Sequence, residues 1–193
     1  LESALQEEVE GKGQTVEEYI NNVVATIGEK ITLRRFALLN KSDDAAFGSY
    51  LHMGGRIGAI ALLDGTNDEE VAKDIAMHAA AVNPKYVSRD DVNEDEVNRE
   101  REILKQQALN EGKPEKIVEK MIVGRIEKYY KEICLMEQTF IKNPDQTIAD
   151  LINSSIAKIG ENISIRRFAR YQLGEGIEKK ENDFAAEVMA AVK

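Results

Sequence analysis

Tryptophan is absent from this 193-residue sequence, and cysteine and histidine are scarce, at one and two residues. A lone cysteine, Cys134, allows no internal disulfide and fits a reducing cytoplasm. With two histidines set far apart and no ligand spacing, a zinc site is not expected. No apolar run approaches the ~20 residues that span a bilayer, so no membrane partner is expected. No stretch is strongly basic, and the net charge is -9. Nucleic-acid binders draw their affinity from neutralising phosphates, so no nucleic-acid partner is expected, and the few aromatics offer little base stacking. The phosphate loop G-x-x-x-x-G-K-[ST] and the fingerprint G-x-G-x-x-G are both missing, and Gly54-Gly55-Arg56-Ile57-Gly58 has the wrong glycine spacing. The opening Leu1-Glu-Ser-Ala-Leu has no initiator Met, no basic stretch and no apolar stretch, so a signal peptide is not expected. With 42% apolar and 32% charged residues, the chain has the means to fold around one or two cores.

What is present is a repeat. Residues 15 to 39 read TVEEYINNVVATIGEKITLRRFALL, and residues 147 to 171 read TIADLINSSIAKIGENISIRRFARY. Aligned without gaps, 12 of 25 positions are identical at an offset of 132, far longer than a solenoid period, so the chain holds two copies of one small unit. Thr15-x-x-Glu18 and Thr147-x-x-Asp150 are capping-box patterns that open a helix. Val16, Ile20, Val23, Val24 and Ile27 share one helical face. Gly28 and Gly160 stand where a left-handed C-cap takes glycine. A strand-like alternation follows, through Ile31 and Leu33 in one copy and Ile163 and Ile165 in the other. It then changes phase, since Phe36 and Phe168 fall on the other parity. Either a bulge at the Arg34-Arg35 pair or a strand covered on both faces accounts for the change.

After the first copy, Phe47 to His52 and Ile57 to Leu63 read as strands joined by a Gly54-Gly55 hairpin link, the second suited to a central position. Thr66-x-x-Glu69 caps a helix with Val71, Ile75, Ala79 and Val82 on one face, ended by Asn83-Pro84. The second copy continues from a strand to Tyr171, through Gly174-Glu-Gly-Ile177, to a final helix capped near Asn182. Between the copies, residues 89 to 132 hold twelve acidic and ten basic residues. They read as two helices broken at Asn110 to Pro114, an antiparallel and largely solvated helical hairpin of coiled-coil type. The expected fold is α+β: two repeated subdomains, each a helix, a three-stranded antiparallel sheet and a helix, with the hairpin inserted. The expected divisions are 1–14 as the remnant of an upstream helix or linker, 15–88 as the first core repeat, 89–136 as the hairpin and 137–193 as the second core repeat.

The blocks IGEKITLRRF, GSYLHMGGRIGAIALL, VAKDIAMHAAAVNPKYV, GKPEKIVEKMIVGRIEKYYKEICLMEQTFIKNPDQTI and GEGIEKKENDFAAEV run along the chain in that order. In them the chain resembles the bacterial translation elongation factor Ts family over essentially its whole length. The family's amino-terminal helical domain and its Thr-Asp-Phe-Val segment, whose Phe wedges into the GTPase, have no counterpart in these residues. The resemblance implies a cytoplasmic exchange factor that binds the GTPase elongation factor Tu and promotes GDP release by a conformational push. It implies no chemistry of the chain's own, no cofactor and no metal. It also implies a homodimer in some members. The alternative is a docking or dimerisation module with little exchange activity, because the Asp-Phe segment is not there. An enzyme of unknown class is the outsider.

The resemblance places partner contacts at Ile27, Gly28, His52, Ile141 and Lys142. Each has a plainer reading. Ile27-Gly28 recurs as Ile159-Gly160 and serves a helix end. His52 is also an ordinary hairpin histidine. Phe140 and Ile141 lie in an apolar cluster that suits a core equally well, and Lys142 stands where an apolar residue is expected. His78 reads as helix packing. The pairs Arg34-Arg35 and Arg166-Arg167 read as salt-bridging to acidic surroundings rather than as a phosphate site. Asp183 and Phe184 echo the Asp-Phe motif but read as the start of the final helix.

Overall fold

The computed structural model describes residues 1–177 of the 193, so the final helix expected near Asn182, with Asp183 and Phe184, lies outside the described residues. The chain divides into two compact units, Leu1–Asn40 and Lys41 onward.

The first unit holds a short helix α1 (Glu2–Leu5) and the amphipathic helix α2 (Val16–Ile27). The capping box forms as the sequence predicts. Thr15 Oγ1 accepts the Glu18 N–H at 3.2 Å, and Glu18 Oε2 accepts the Thr15 N–H at 2.8 Å, so two donors at the helix start are satisfied reciprocally. Gly28 closes the helix at φ 74°, with its N–H on the Val24 carbonyl. The strand expected over Ile31 to Phe36 does not form. Residues 30–42 carry no regular structure, and Ile31, Phe36 and Leu38 are exposed. Alternation alone does not make a strand, because a strand needs a neighbour for its backbone hydrogen bonds.

In the second unit, the other copy of the repeat finds that neighbour. The sheet has the order β1–β2–β3, all antiparallel, with β1 Ala45–His52, β2 Ile57–Asp64 and β3 Ser164–Gln172. β2 is central, as its continuous apolar run predicts. Both of its edges are filled, one by β1 and the other by the strand of the second repeat. Among the described residues there is thus one three-stranded sheet, not one for each copy. The phase change in β3 is a bulge. Leu62 pairs with Arg167 and Leu63 with Ile165, so Arg166 is the extra residue. Ile165 and Phe168 both face the core as a result. Arg166 Nε donates to Asp64 Oδ2 at 2.6 Å, the ion pair expected of this arginine pair. The β1–β2 link is four residues long, longer than the Gly-Gly pair, with Met53, Gly54 and Gly55 all at positive φ.

Helix α3 (Glu69–Val82) lies on one face of the sheet. Its cap is Asp68 rather than Thr66. Asp68 Oδ1 accepts the N–H groups of Glu70 and Val71, while Thr66 Oγ1 accepts the N–H of Asp68 itself. Ala72, Ile75 and Ala76 pack on Ala46, Ala61 and Leu63, so small residues meet small residues. Val82, expected on this face, is exposed. The approach is closest at Gly48, where a Cβ would lie 1.9 Å from the carbonyl carbon of Ala72.

Helices α4 (Glu94–Asn110) and α5 (Glu115–Ile133) follow, joined through Gly112. They run antiparallel: Glu96 near the start of α4 meets Tyr129 near the end of α5, and Glu111 meets Arg125. Val97, Ala108, Val118, Ile122 and Ile126 are buried between them, and the outer faces are charged. Helix α6 (Ile148–Ile159) repeats the capping box, Thr147 with Asp150, and ends at Gly160 with φ 80°. Ile148 and Ile152 join Leu135, Phe140, Ile163 and Ile165 in the main core.

The close approach at Gly48 generates a prediction. Gly48→Ala must push α3 off the sheet, and overpacking of this kind costs roughly 1–3 kcal/mol. Gly124, inside α5, has open space around it, so Gly124→Ala is expected to stabilise by up to about 1 kcal/mol. Urea unfolding of both variants checks the opposite signs.

Candidate functional site

The five residues singled out by the sequence fall at three places. Ile27 is 53% exposed at the end of α2, beside the left-handed Gly28. A Cβ at Gly28 would meet nothing within 4 Å, so its glycine serves the backbone turn rather than close packing. His52 is exposed at the last position of β1, its ring stacked at 6.0 Å from that of Tyr50. Ile141 and Lys142 lie on a small closed turn between Phe140 and Gln146.

That turn is built from local hydrogen bonds. The Phe140 N–H donates to the Gln146 carbonyl at 2.9 Å, and the Asn143 N–H donates to the Phe140 carbonyl at 3.1 Å. The apolar cluster divides here. Phe140 is buried in the core, whereas Ile141 stays 42% exposed. Lys142 Nζ donates to Asp74 Oδ1 on α3 at 2.5 Å, so a charge where an apolar residue was expected is held by the helix beneath.

Below the turn lies His78, fully buried on α3. Its Nδ1 accepts the Ile141 N–H at 3.4 Å, and its Nε2 lies 3.0 Å from Gln138 Oε1. A backbone N–H can only donate, so Nδ1 carries the lone pair and Nε2 the proton. Burial pushes the His78 pKa down and the Gln138 hydrogen bond opposes this in part, which keeps the ring neutral. Sequence reading found the packing role of His78 but not its link to Ile141. Asp74 and His78 lie more than 60 residues from the turn and Gln138 three residues before Ile141, and no local pattern announces the contact.

The β1–β2 hairpin tip also carries exposed apolar side chains. Met53, Leu173 and Ile177 line a cleft with Arg56 and Gln172, and Leu51 stands exposed nearby. Among the described residues, no three His, Cys, Asp or Glu side chains gather as a metal ion requires, and no helix is long and apolar enough to cross a membrane. Cys134 is buried, and burial raises its thiol to about 11, which leaves it unreactive at neutral pH.

The root of the helical pair is fastened on two sides. Arg89 donates to both carboxylate oxygens of Glu127 and to Glu137, and its guanidinium stacks 4.5 Å from the Tyr130 ring centre. Elsewhere on the pair, Glu96 accepts from the hydroxyls of Tyr129 and Tyr86, at 2.5 and 2.6 Å, and from Lys85 Nζ. These bonds, the one from Tyr129 foremost, hold the Glu96 carboxyl down to about 2. Backbone bonds join the two sides: Tyr86 N–H donates to the Ile133 carbonyl, and Leu135 N–H to the Tyr86 carbonyl.

Comparison with protein families adds one finding. The family model for Elongation factor TS matches residues 1–155. The chain belongs to that family.

The Glu96 cluster generates a pH prediction. A carboxyl whose pKa is lower in the folded state stabilises the fold fully above its ordinary value of 4.5, and this contribution is lost as pH falls towards about 2. Stability measured by urea unfolding is therefore expected to decline across that window. Glu96→Gln should flatten part of the decline, while an unchanged slope in that variant would count against the cluster.

Proposed function

We propose that this member of the elongation factor Ts family is a guanine-nucleotide exchange factor of translation elongation that binds elongation factor Tu and promotes GDP release. The family match over residues 1–155 carries this reading. It is supported by the way Ile27, His52 and Ile141 are presented. All three are exposed, and each sits on a backbone fixed by something else: a capped helix end, a strand end and a hydrogen-bonded turn. Side chains held outward on rigid supports suit recognition, because little freedom remains to be lost on binding.

The proposed contact residues are Ile27, Gly28, His52, Ile141 and Lys142. The proposed divisions are two core copies, 15–88 and 137–193, with 89–136 as the insertion, and a second copy of the chain is a further proposed partner. The activity needs no covalent step. A factor that weakens GDP binding by some ratio is itself weakened by GDP in the same ratio. Fresh nucleotide therefore expels the factor, and the chain acts repeatedly with no acid, base or metal of its own. Its place of action is then the cytoplasm.

Release of fluorescent GDP from elongation factor Tu, followed while this chain is titrated in, tests the reading. Accelerated release is expected. Ile141→Ala and His52→Ala should each weaken the effect by about 5- to 30-fold, the range of a central interface residue. Binding without acceleration would favour the docking-module reading, and neither binding nor acceleration would overturn both.

A further inference from the structure

We infer that Asp74, His78 and Gln138 are positioning residues that hold the Ile141–Lys142 turn in the posture needed for partner binding. The inference rests on the reading of Ile141 as a partner contact. Asp74 and His78 are four residues apart on α3 and therefore share one face, a turn apart. They grip consecutive residues of the turn. Asp74 takes the Lys142 ammonium at 2.5 Å, and His78 Nδ1 takes the Ile141 N–H at 3.4 Å. With the backbone of Ile141 and the side chain of Lys142 both drawn to α3, the Ile141 side chain is left 42% exposed.

The relay continues behind His78. Its Nε2–H donates to Gln138 Oε1 at 3.0 Å, and Gln138 Nε2 donates to the Glu132 carbonyl, in the last turn of α5, at 2.6 Å. The His78 and Gln138 side chains are both buried. Every donor here meets an acceptor in only one arrangement, so the relay is directional. A core that needed only volume at position 78 would be served by leucine, which carries no polar group to satisfy. An imidazole with both nitrogens engaged fixes the height and angle of the turn as well. The end of α5, the middle of α3 and the exposed turn are thereby tied into one unit.

The variants separate positioning from bulk stability. His78→Asn keeps an acceptor near the place of Nδ1, while His78→Gln keeps a donor near Nε2 and loses that acceptor. In the full chain without partner, hydrogen exchange at the Ile141 amide is expected to rise about tenfold or more in His78→Gln and to stay near the parent rate in His78→Asn. In binding to elongation factor Tu, His78→Gln is expected to weaken affinity about 5- to 10-fold. Added to Ile141→Ala it should cost less than about twofold more, because both changes act through one side chain. Asp74→Asn, which leaves the core untouched, is expected to show the same lack of additivity and serves where His78→Gln fails to fold. Equal Ile141 exchange in parent and His78→Gln, or losses that multiply with Ile141→Ala, would overturn the inference. If Ile141→Ala binds like the parent, the contact reading itself is wrong, and the amide exchange still decides whether α3 holds the turn.

Discussion

Helix α3 lies against the sheet at a distance that only the smallest side chains permit, and the rest of the second unit is arranged around that contact. At Gly48 the helix backbone occupies the space where a Cβ would be. Around it Ala46, Ala61, Ala72 and Ala76 replace the large side chains that usually separate a helix from a sheet. With α3 fixed in depth, its other face becomes a platform of defined height. Asp74 and His78 stand on that platform, and the Ile141–Lys142 turn rests on them.

The helical pair is joined to this body by different means. Two backbone bonds between residues 86 and 133–135, the Arg89 clamp and the Glu96 cluster fasten it where α5 ends. Exposed ion pairs contribute little singly, but a bidentate arginine that also stacks on a tyrosine fixes orientation as well as distance. Gln138 carries the connection inward, from the last turn of α5 to His78.

The local chemistry of the fold was legible in the sequence. Both capping boxes, both glycine caps, the central strand and the break between α4 and α5 follow from short-range rules that the structure obeys. Pairing was not legible. The two copies of the repeat share 12 of 25 residues, yet one becomes β3 and the other remains irregular. The difference lies in which segment reaches the open edge of β2, a tertiary fact that no window of sequence contains. The site divides in the same way. Ile27, Gly28, His52, Ile141 and Lys142 could be named from resemblance, whereas Asp74 and His78, which hold the Ile141–Lys142 turn, lie more than 60 residues away, and neither they nor nearby Gln138 carry a motif. Thr66 and Asp68 show the same limit on a smaller scale. Thr66 is buried with its hydroxyl on the Asp68 N–H, and Asp68 takes the cap expected of Thr66.

The proposed exchange activity requires linkage between this chain and the nucleotide on elongation factor Tu. The most direct measurement is the dissociation constant of the chain for elongation factor Tu, taken once without nucleotide and once with saturating GDP and Mg²⁺. GDP is expected to weaken binding by roughly 5- to 150-fold, the usual size of such a coupling. Equal affinity in the two states would show that the chain docks without acting on the nucleotide, and would contradict the proposed activity.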